Sequence, residues 1–258
     1  MGDSKTTFPN LVLVTGAAGA VGSVLCQALI EQGVAIVATD RLERPSQLTG
    51  SDDRVSWVVA DLERPDDRAH LVEAVHRMAS GSVGIVHNAS FVGTSELEGW
   101  SGPLESQSVE TWSRALEVSL TASFSITRAL SPLLRDSPGS AIVHVSSMYS
   151  SLAPDWSMYE GTSLGNPAAY GVAKAGVEQL TRWLASTLAP QVRVNAVSPG
   201  GLRRGQPDSF VERYEAKVPL ARMGTEQEIV DSIMFLLSSQ SSYVTGQVLV
   251  VDGGYGIV

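Results

Sequence analysis

VTGAAGAVGSVLCQALIEQG, residues 14–33, is the stretch whose reading decides the fold. The apolar run LVLVTG at 11–16 leads into a turn carrying Gly16, Gly19 and Gly22, and a helical pattern follows. Glycines suit such a turn because the backbone bends sharply, approaches a pyrophosphate closely and lets the helix pack on the strand. The helix start at Ala20, Val21 and Gly22 offers unpaired N–H groups and a positive dipole end to phosphates. Alone, the triplet fits a dinucleotide site and a ligand-free strand-to-helix turn equally well.

Six further runs repeat the first half of the pattern: VAIVATD at 34–40, VSWVVAD at 55–61, VGIVHNAS at 83–90, AIVHVSS at 141–147, VRVNAVSPG at 192–200 and QVLVVDGG at 247–254. Most are rich in β-branched residues and lack polar alternation, as expected of parallel strands buried on both faces. Helix-length segments separate them. The pattern predicts an α/β fold, a doubly wound seven-stranded parallel sheet with helices on both faces. No Pro/Ser-rich linker and no fixed-period repeat divides the chain, so residues 1–258 read as one domain with a flexible start at 1–9. Irregular stretches at 91–107, 148–168 and 200–218 each follow a strand's C-terminal end, the edge where open α/β sheets bind ligands.

With 258 residues, 43% hydrophobic and 17% charged, the chain is long enough for a full core. A net charge of −9 argues against a nucleic-acid partner. The single cysteine, Cys26, excludes an intramolecular disulfide and a cysteine-based metal cluster, and reads as a buried structural thiol. MGDSKTTFPN has no apolar signal core, and no run approaches a membrane span. The reading is a cytoplasmic protein that binds a small molecule, with no metal, membrane or nucleic acid.

The second strand ends in Asp40, whose carboxylate can accept hydrogen bonds from an adenosine ribose and repel a 2′-phosphate. That favours NAD over NADP, although Arg41 beside it can receive a 2′-phosphate. Asp61 can reach the adenine or act as a helix N-terminal carboxylate. In PAAYGVAKAG, residues 167–176, Tyr170 and Lys174 lie one helical turn apart. Asn166 and Pro167 read as N-cap and first helical residue, and Val172, Ala173, Gly176, Val177, Leu180 and Leu184 as the buried stripe. The pair can be a surface tyrosine beside a solvated lysine. It also suits proton transfer: a free phenol titrates near 10, and an ammonium nearby stabilises the phenolate. Ser146 and Ser147 close the preceding strand, where a hydroxyl can polarise a carbonyl.

Taken in order, TGAAGAVG, Asp40, Asp61, HNAS at 87–90, Ser147, YGVAK at 170–174, NAVSPGG at 195–201 and VTGQVLVVDGG at 244–254 resemble a classical short-chain dehydrogenase/reductase over nearly the full chain. The resemblance implies a Rossmann fold, with Tyr170 as general acid/base, Lys174 as its electrostatic partner and Ser147, rather than Ser146, orienting the reacting group. It implies that Gly16, Gly19, Ala20, Val21, Gly22, Asp40, Arg41, Asp61, Leu62, Asn88, Ala89, Tyr170, Lys174, Pro199, Gly200 and Leu202 hold the cofactor. Hydride would pass between NAD(H) and a secondary alcohol or ketone. Four departures stand out. Gly19-Ala20 puts the middle glycine one place early, as in extended members, yet the 84 residues after Lys174 are too few for their added domain. Ser90 replaces a glycine beside Asn88, and His87 beside them is read as structural. Ser119 replaces the asparagine of the proton relay, for which slower turnover is expected. Arg203 or Arg204 takes the place of a threonine that contacts the carboxamide.

Tyr170 lies 23 positions after Ser147, longer than is usual in that family. The added piece, APDWSMYEGTSLGNP, carries Asp155, Trp156, Tyr159 and Glu160 behind Met148, and the loop after HNAS adds Trp100. Aromatic faces with carboxylates and hydroxyls suit a sugar-like ligand, and Arg203 and Arg204 suit a phosphate or carboxylate on it. The same aromatics can simply anchor a solvated loop. YEGTSLGNPAAYGVAKAG also resembles short-chain members of bacterial surface-sugar and flagellin modification. The C-terminal pattern resembles the strand and tail through which members assemble, implying a homotetramer or homodimer. A catalytically silent NAD-binding sensor or structural subunit, or a reductase of acyl or steroid ketones, is the alternative.

Overall fold

The computed structural model describes residues 6–46, 48, 54–91 and 97–258. Strands β1 (Leu11–Thr15), β2 (Ala35–Asp40), β3 (Val55–Val59), β4 (Val83–His87), β5 (Ala141–Val145), β6 (Arg193–Pro199) and β7 (Val248–Val251) form one parallel sheet. Their order is β3-β2-β1-β4-β5-β6-β7, with Val12 opposite Ile36 on one side and Gly84 on the other. Each strand lies inside its predicted run. The run at 83–90 stops pairing at His87, because Asn88 turns its amide toward the glycine turn.

Helices α1 (Ala20–Glu31) and α7 (Glu226–Leu237) cover one face, where Leu25, Leu29, Ile233 and Leu236 meet Val12 and Val14. Helices α2 (Pro65–Met78), α4 (Ala122–Arg135) and α5 (Ala168–Leu188) cover the other, where Leu71, Ile126, Leu130 and Leu184 meet Leu11 and Leu13. Alternate residues of β1 therefore serve opposite layers, as the two-residue period of a strand requires. Helices α3 (Val109–Leu116) and α6 (Asp208–Glu215) lie in the connections after β4 and β6. Among the described residues no helix is long and apolar enough to cross a membrane.

Three local expectations change. The expected flexible start falls partly on residues 1–5, outside the described residues. Thr6 and Thr7 are tied by hydrogen bonds to Gln240 and Ser239, Phe8 packs on the core, and Pro9 is buried. Helix α5 begins at Ala168 with Pro167 at the N-cap; the cap is supplied from another loop, where the Gln107 side-chain oxygen accepts the Ala168 N–H at 3.0 Å. Asn166 instead donates to the Tyr159 hydroxyl. Val172 is 48% exposed, while Lys174 and Glu178 are buried. Of the expected stripe, Ala173, Val177 and Leu184 are buried, Gly176 and Leu180 are half-buried and Val172 faces out; Ala169, Lys174, Glu178 and Thr181 are buried beside them.

Leu130 is fully buried in α4 and Val109 is 80% exposed at the start of α3. Leu130→Ala is expected to cost about 2–5 kcal/mol and Val109→Ala less than about 0.5 kcal/mol in urea unfolding.

Candidate active site

The sheet order reverses between β1 and β4, which opens a crevice beyond their C-terminal ends. Gly16 sits there with φ +66°, and a Cβ on it would lie 2.8 Å from the Ala89 Cα. A Cβ on Gly22 would lie 2.1 Å from the Gly16 carbonyl oxygen, so α1 can start this close to β1 only with glycine. Gly19 is the N-cap and supplies no side-chain cap, leaving the first N–H groups of α1, at Ala20, Val21 and Gly22, to an anionic ligand. Asn88 donates its amide to the carbonyls of Thr15 and Gly16 at 3.1 and 3.0 Å. Thr15, which sequence reading passed over, accepts the backbone N–H groups of Asn88 and Ala89 on its hydroxyl. A hydroxyl just before the glycine turn was the available signal.

Asp40 ends β2 and accepts the N–H of Ala18 in the glycine turn and that of Leu42. Its carboxylate is thereby fixed beside the turn, with Arg41 exposed next to it. Asp61 lies past β3 and accepts the Glu63 N–H, so it closes a turn rather than capping α2, whose N-cap is Arg64. Leu62 is buried in the layer of α2 and α4. Pro199 ends β6, and the Gly200 N–H bonds Val251. A Cβ on Gly200 would lie 2.8 Å from the Tyr214 hydroxyl, and that hydroxyl accepts the Gly201 N–H at 2.6 Å. Tyr214 therefore shapes the Pro199–Leu202 segment, a role its position in α6 did not announce. These glycine cradles, free helix N–H groups and a fixed carboxylate fit a dinucleotide.

Ser147, Tyr170 and Lys174 meet at the next strand end. Ser147 follows β5 and accepts the Tyr149 N–H at 3.3 Å. The Ser147 hydroxyl lies near enough to the Tyr170 phenol to influence its titration. Lys174 is 3% exposed and donates to the Val145 carbonyl at 2.7 Å. Burial lowers its pKa to about 8. Burial raises the Tyr170 phenol, while the nearby Ser147 hydroxyl and then the Arg204 charge pull it back. The Lys174 ammonium stands over the Tyr170 ring, 5.8 Å from its centre, while donating to Val145. Ser146 turns away, donating to Glu178 at 2.9 Å, which leaves Ser147 as the hydroxyl beside the phenol.

Ser119 lies in a π-helical segment, Glu117–Thr121, between α3 and α4. Its hydroxyl accepts the Phe91 N–H at 3.2 Å and lies 3.4 Å from the Ser90 hydroxyl, so it braces the loop after β4. His87 is structural, stacked on His144 and bonded to Thr127.

The proposed substrate residues divide. Trp100 is 5% exposed, edge-on to Phe91 and clustered with Tyr170, so it is core and not a stacking face. Met148 is buried against Tyr214. Glu160 is exposed, and only its carbonyl is engaged, by Arg213. Arg203 pairs with Glu215 and Asp208 at the surface. Arg204 pairs with Glu226 at 2.8 Å, near enough for its charge to act on Tyr170. Tyr159 shares a hydrogen bond of 2.6 Å with Tyr149, and Trp156 is 59% exposed beside it. Trp156 and Tyr159 line a cavity of about 1050 Å³ with Leu104, Gln107, Tyr149 and Val172, on the outer side of α5. Of loop 91–107, residues 92–96 lie outside the described residues. Among the described residues no three His, Cys, Asp or Glu side chains converge as a metal site.

A family model described as enoyl-(acyl carrier protein) reductase matches residues 16–256. Relatives include cis-4-hydroxycyclohexanecarboxylate dehydrogenase of Sinomonas cyclohexanicum, 32% identical over 96% of this chain and 97% of its own length. Post-translational flagellin modification protein A of Campylobacter coli is 26% identical, over 96% and 98%. A short chain dehydrogenase from Leptospira borgpetersenii with bound NAD+ superposes with a TM-score of 0.84 at 28% identity, over 99% of this chain and 96% of that one. The chain belongs to the short-chain dehydrogenase/reductase family.

Lys174 yields a stability test. Below about pH 8 the folded protein holds a buried ammonium, whereas the unfolded chain keeps that proton to about 10.5. The unfolded state binds more protons between these values, so wild-type stability rises with pH there. The stability of Lys174→Met relative to wild type is expected to be highest near neutrality and to fall from pH 8 to 10.5, as read by urea unfolding.

Proposed function

We propose that this chain is an NAD(H)-dependent oxidoreductase that interconverts a secondary alcohol and a ketone on a polar, sugar-like or carboxylated ring substrate. The observation that carries it is the Ser147–Tyr170–Lys174 cluster at the same sheet edge as the glycine crevice. A nicotinamide dinucleotide held along Gly16–Gly22, Asn88 and Pro199–Leu202 would supply the two-electron acceptor or donor. Ser147 donates a hydrogen bond to the substrate oxygen; Tyr170, as the phenolate, takes the hydroxyl proton as the carbonyl forms and, as the resulting phenol, returns it in the reverse direction. Lys174, fixed on Val145, holds positive charge behind the cofactor-side rim.

Asp40, immobilised by Ala18 and Leu42, supports NAD over NADP. Arg204 near Tyr170 supports an anionic group on the substrate, in keeping with a relative named for a hydroxycyclohexanecarboxylate. Exposed Phe124 on α4, Val172 and Trp183 on α5 and Tyr243, Val250, Ile257 and Val258 near the C-terminus support assembly as a homodimer or homotetramer.

The test is NAD+ reduction, followed by absorbance, across hydroxycyclohexanecarboxylates, sugars, sugar acids, polyols, hydroxyacyl esters and steroid alcohols, with NADP+ in parallel. Tyr170→Phe is expected to lower kcat on the responding compound by about 10²–10⁴-fold with NAD+ binding unchanged. Wild-type turnover surviving in Tyr170→Phe contradicts the proposal.

A further inference from the structure

Glu178 is 8% exposed, one helical turn past Lys174 on the inward face of α5. One of its oxygens, Oε1, accepts the hydroxyls of both Ser146, at 2.9 Å, and Ser150, through a very short hydrogen bond. Its other oxygen faces Arg182 at 3.6 Å, beyond hydrogen-bond reach, with the Arg182 side chain half exposed. Ser146 and Ser150 bracket Ser147, and the Ser150 N–H bonds the Ser147 carbonyl. The helix and this turn also touch directly: a Cβ on Gly171 would lie 2.9 Å from the Tyr149 carbonyl oxygen. Tyr170 rides on the same helix. We propose that Glu178 is a positioning residue, clamping the Ser146–Ser150 turn to α5 so that the Ser147 hydroxyl stays registered on the Tyr170 phenol. This rests on the function proposed above for Ser147 and Tyr170.

The clamp needs two hydrogen-bond acceptances on one oxygen and no charge. Gln offers the same carbonyl oxygen and Ala offers none, so the two substitutions separate geometry from charge. Misplacement of a reacting group by about 1 Å can cost about a hundredfold in rate. Glu178→Ala is expected to lower kcat about tenfold to a hundredfold, with KM and the Kd for NAD+ within about twofold. Glu178→Gln is expected to stay within about threefold of wild type, and Ser150→Ala to fall between them. Hydrogen exchange in the substrate-free chain is expected to speed up in a peptide spanning 146–152 in Glu178→Ala, with β5 and the rest of α5 unchanged.

The inference is overturned if exchange at 146–152 is unaltered in Glu178→Ala. It is also overturned if Gln is as damaging as Ala, or if exchange rises throughout β5 and α5 with a lowered Tm. Should Glu178→Ala fail to fold, Ser150→Ala with wild-type exchange and kcat overturns it as well. If wild type is inert on every compound while exchange behaves as expected, the oxidoreductase proposal fails and the clamp stands.

Discussion

Lys174 carries an ammonium into a buried site and directs it at the Val145 carbonyl, at the point where β5 ends and the two serines begin. A buried charge must find such a partner, and the carbonyl at the end of β5 supplies it. This contact fixes α5 on the sheet edge, so Tyr170, one turn back, has little freedom to leave Ser147. The helix face follows from it: Val172 is turned to the outside and Glu178 is brought under the turn after β5. The cost is a lysine whose proton is held less firmly, near pH 8 instead of 10.5.

The second constraint is steric. Gly16 and Gly22 let β1 and α1 meet at a distance no side chain would permit, and Asn88 and Thr15 lock the turn to the end of β4. Because sheet order reverses at this place, the crevice and the Ser147–Tyr170 cluster share one edge. Asp40 reaches across from β2 to the same turn. A loop of Pro199, Gly200 and Gly201, shaped by the Tyr214 hydroxyl, closes the far side.

Strands were legible because burial on both faces leaves an unbroken β-branched run, and β1 to β7 all fall within such runs. The glycine turn was legible because a turn this tight admits only glycine at Gly16 and Gly22, whereas Tyr170 and Lys174 stood out through the resemblance and not through their spacing. What sequence reading missed depends on contacts far apart in the chain. The Gln107 cap on Ala168 joins residues 61 positions apart, and the Tyr214 bond to Gly201 joins α6 to the end of β6. Trp100 looked like a ligand face because an aromatic in a polar loop gives no sign of what covers it; Phe91 does.

Calorimetric titration of the wild-type chain with NAD+ and NADP+ tests the central claim most directly. The account predicts one NAD+ bound per chain, more tightly than NADP+. Absence of binding by either nucleotide in the folded protein would contradict it.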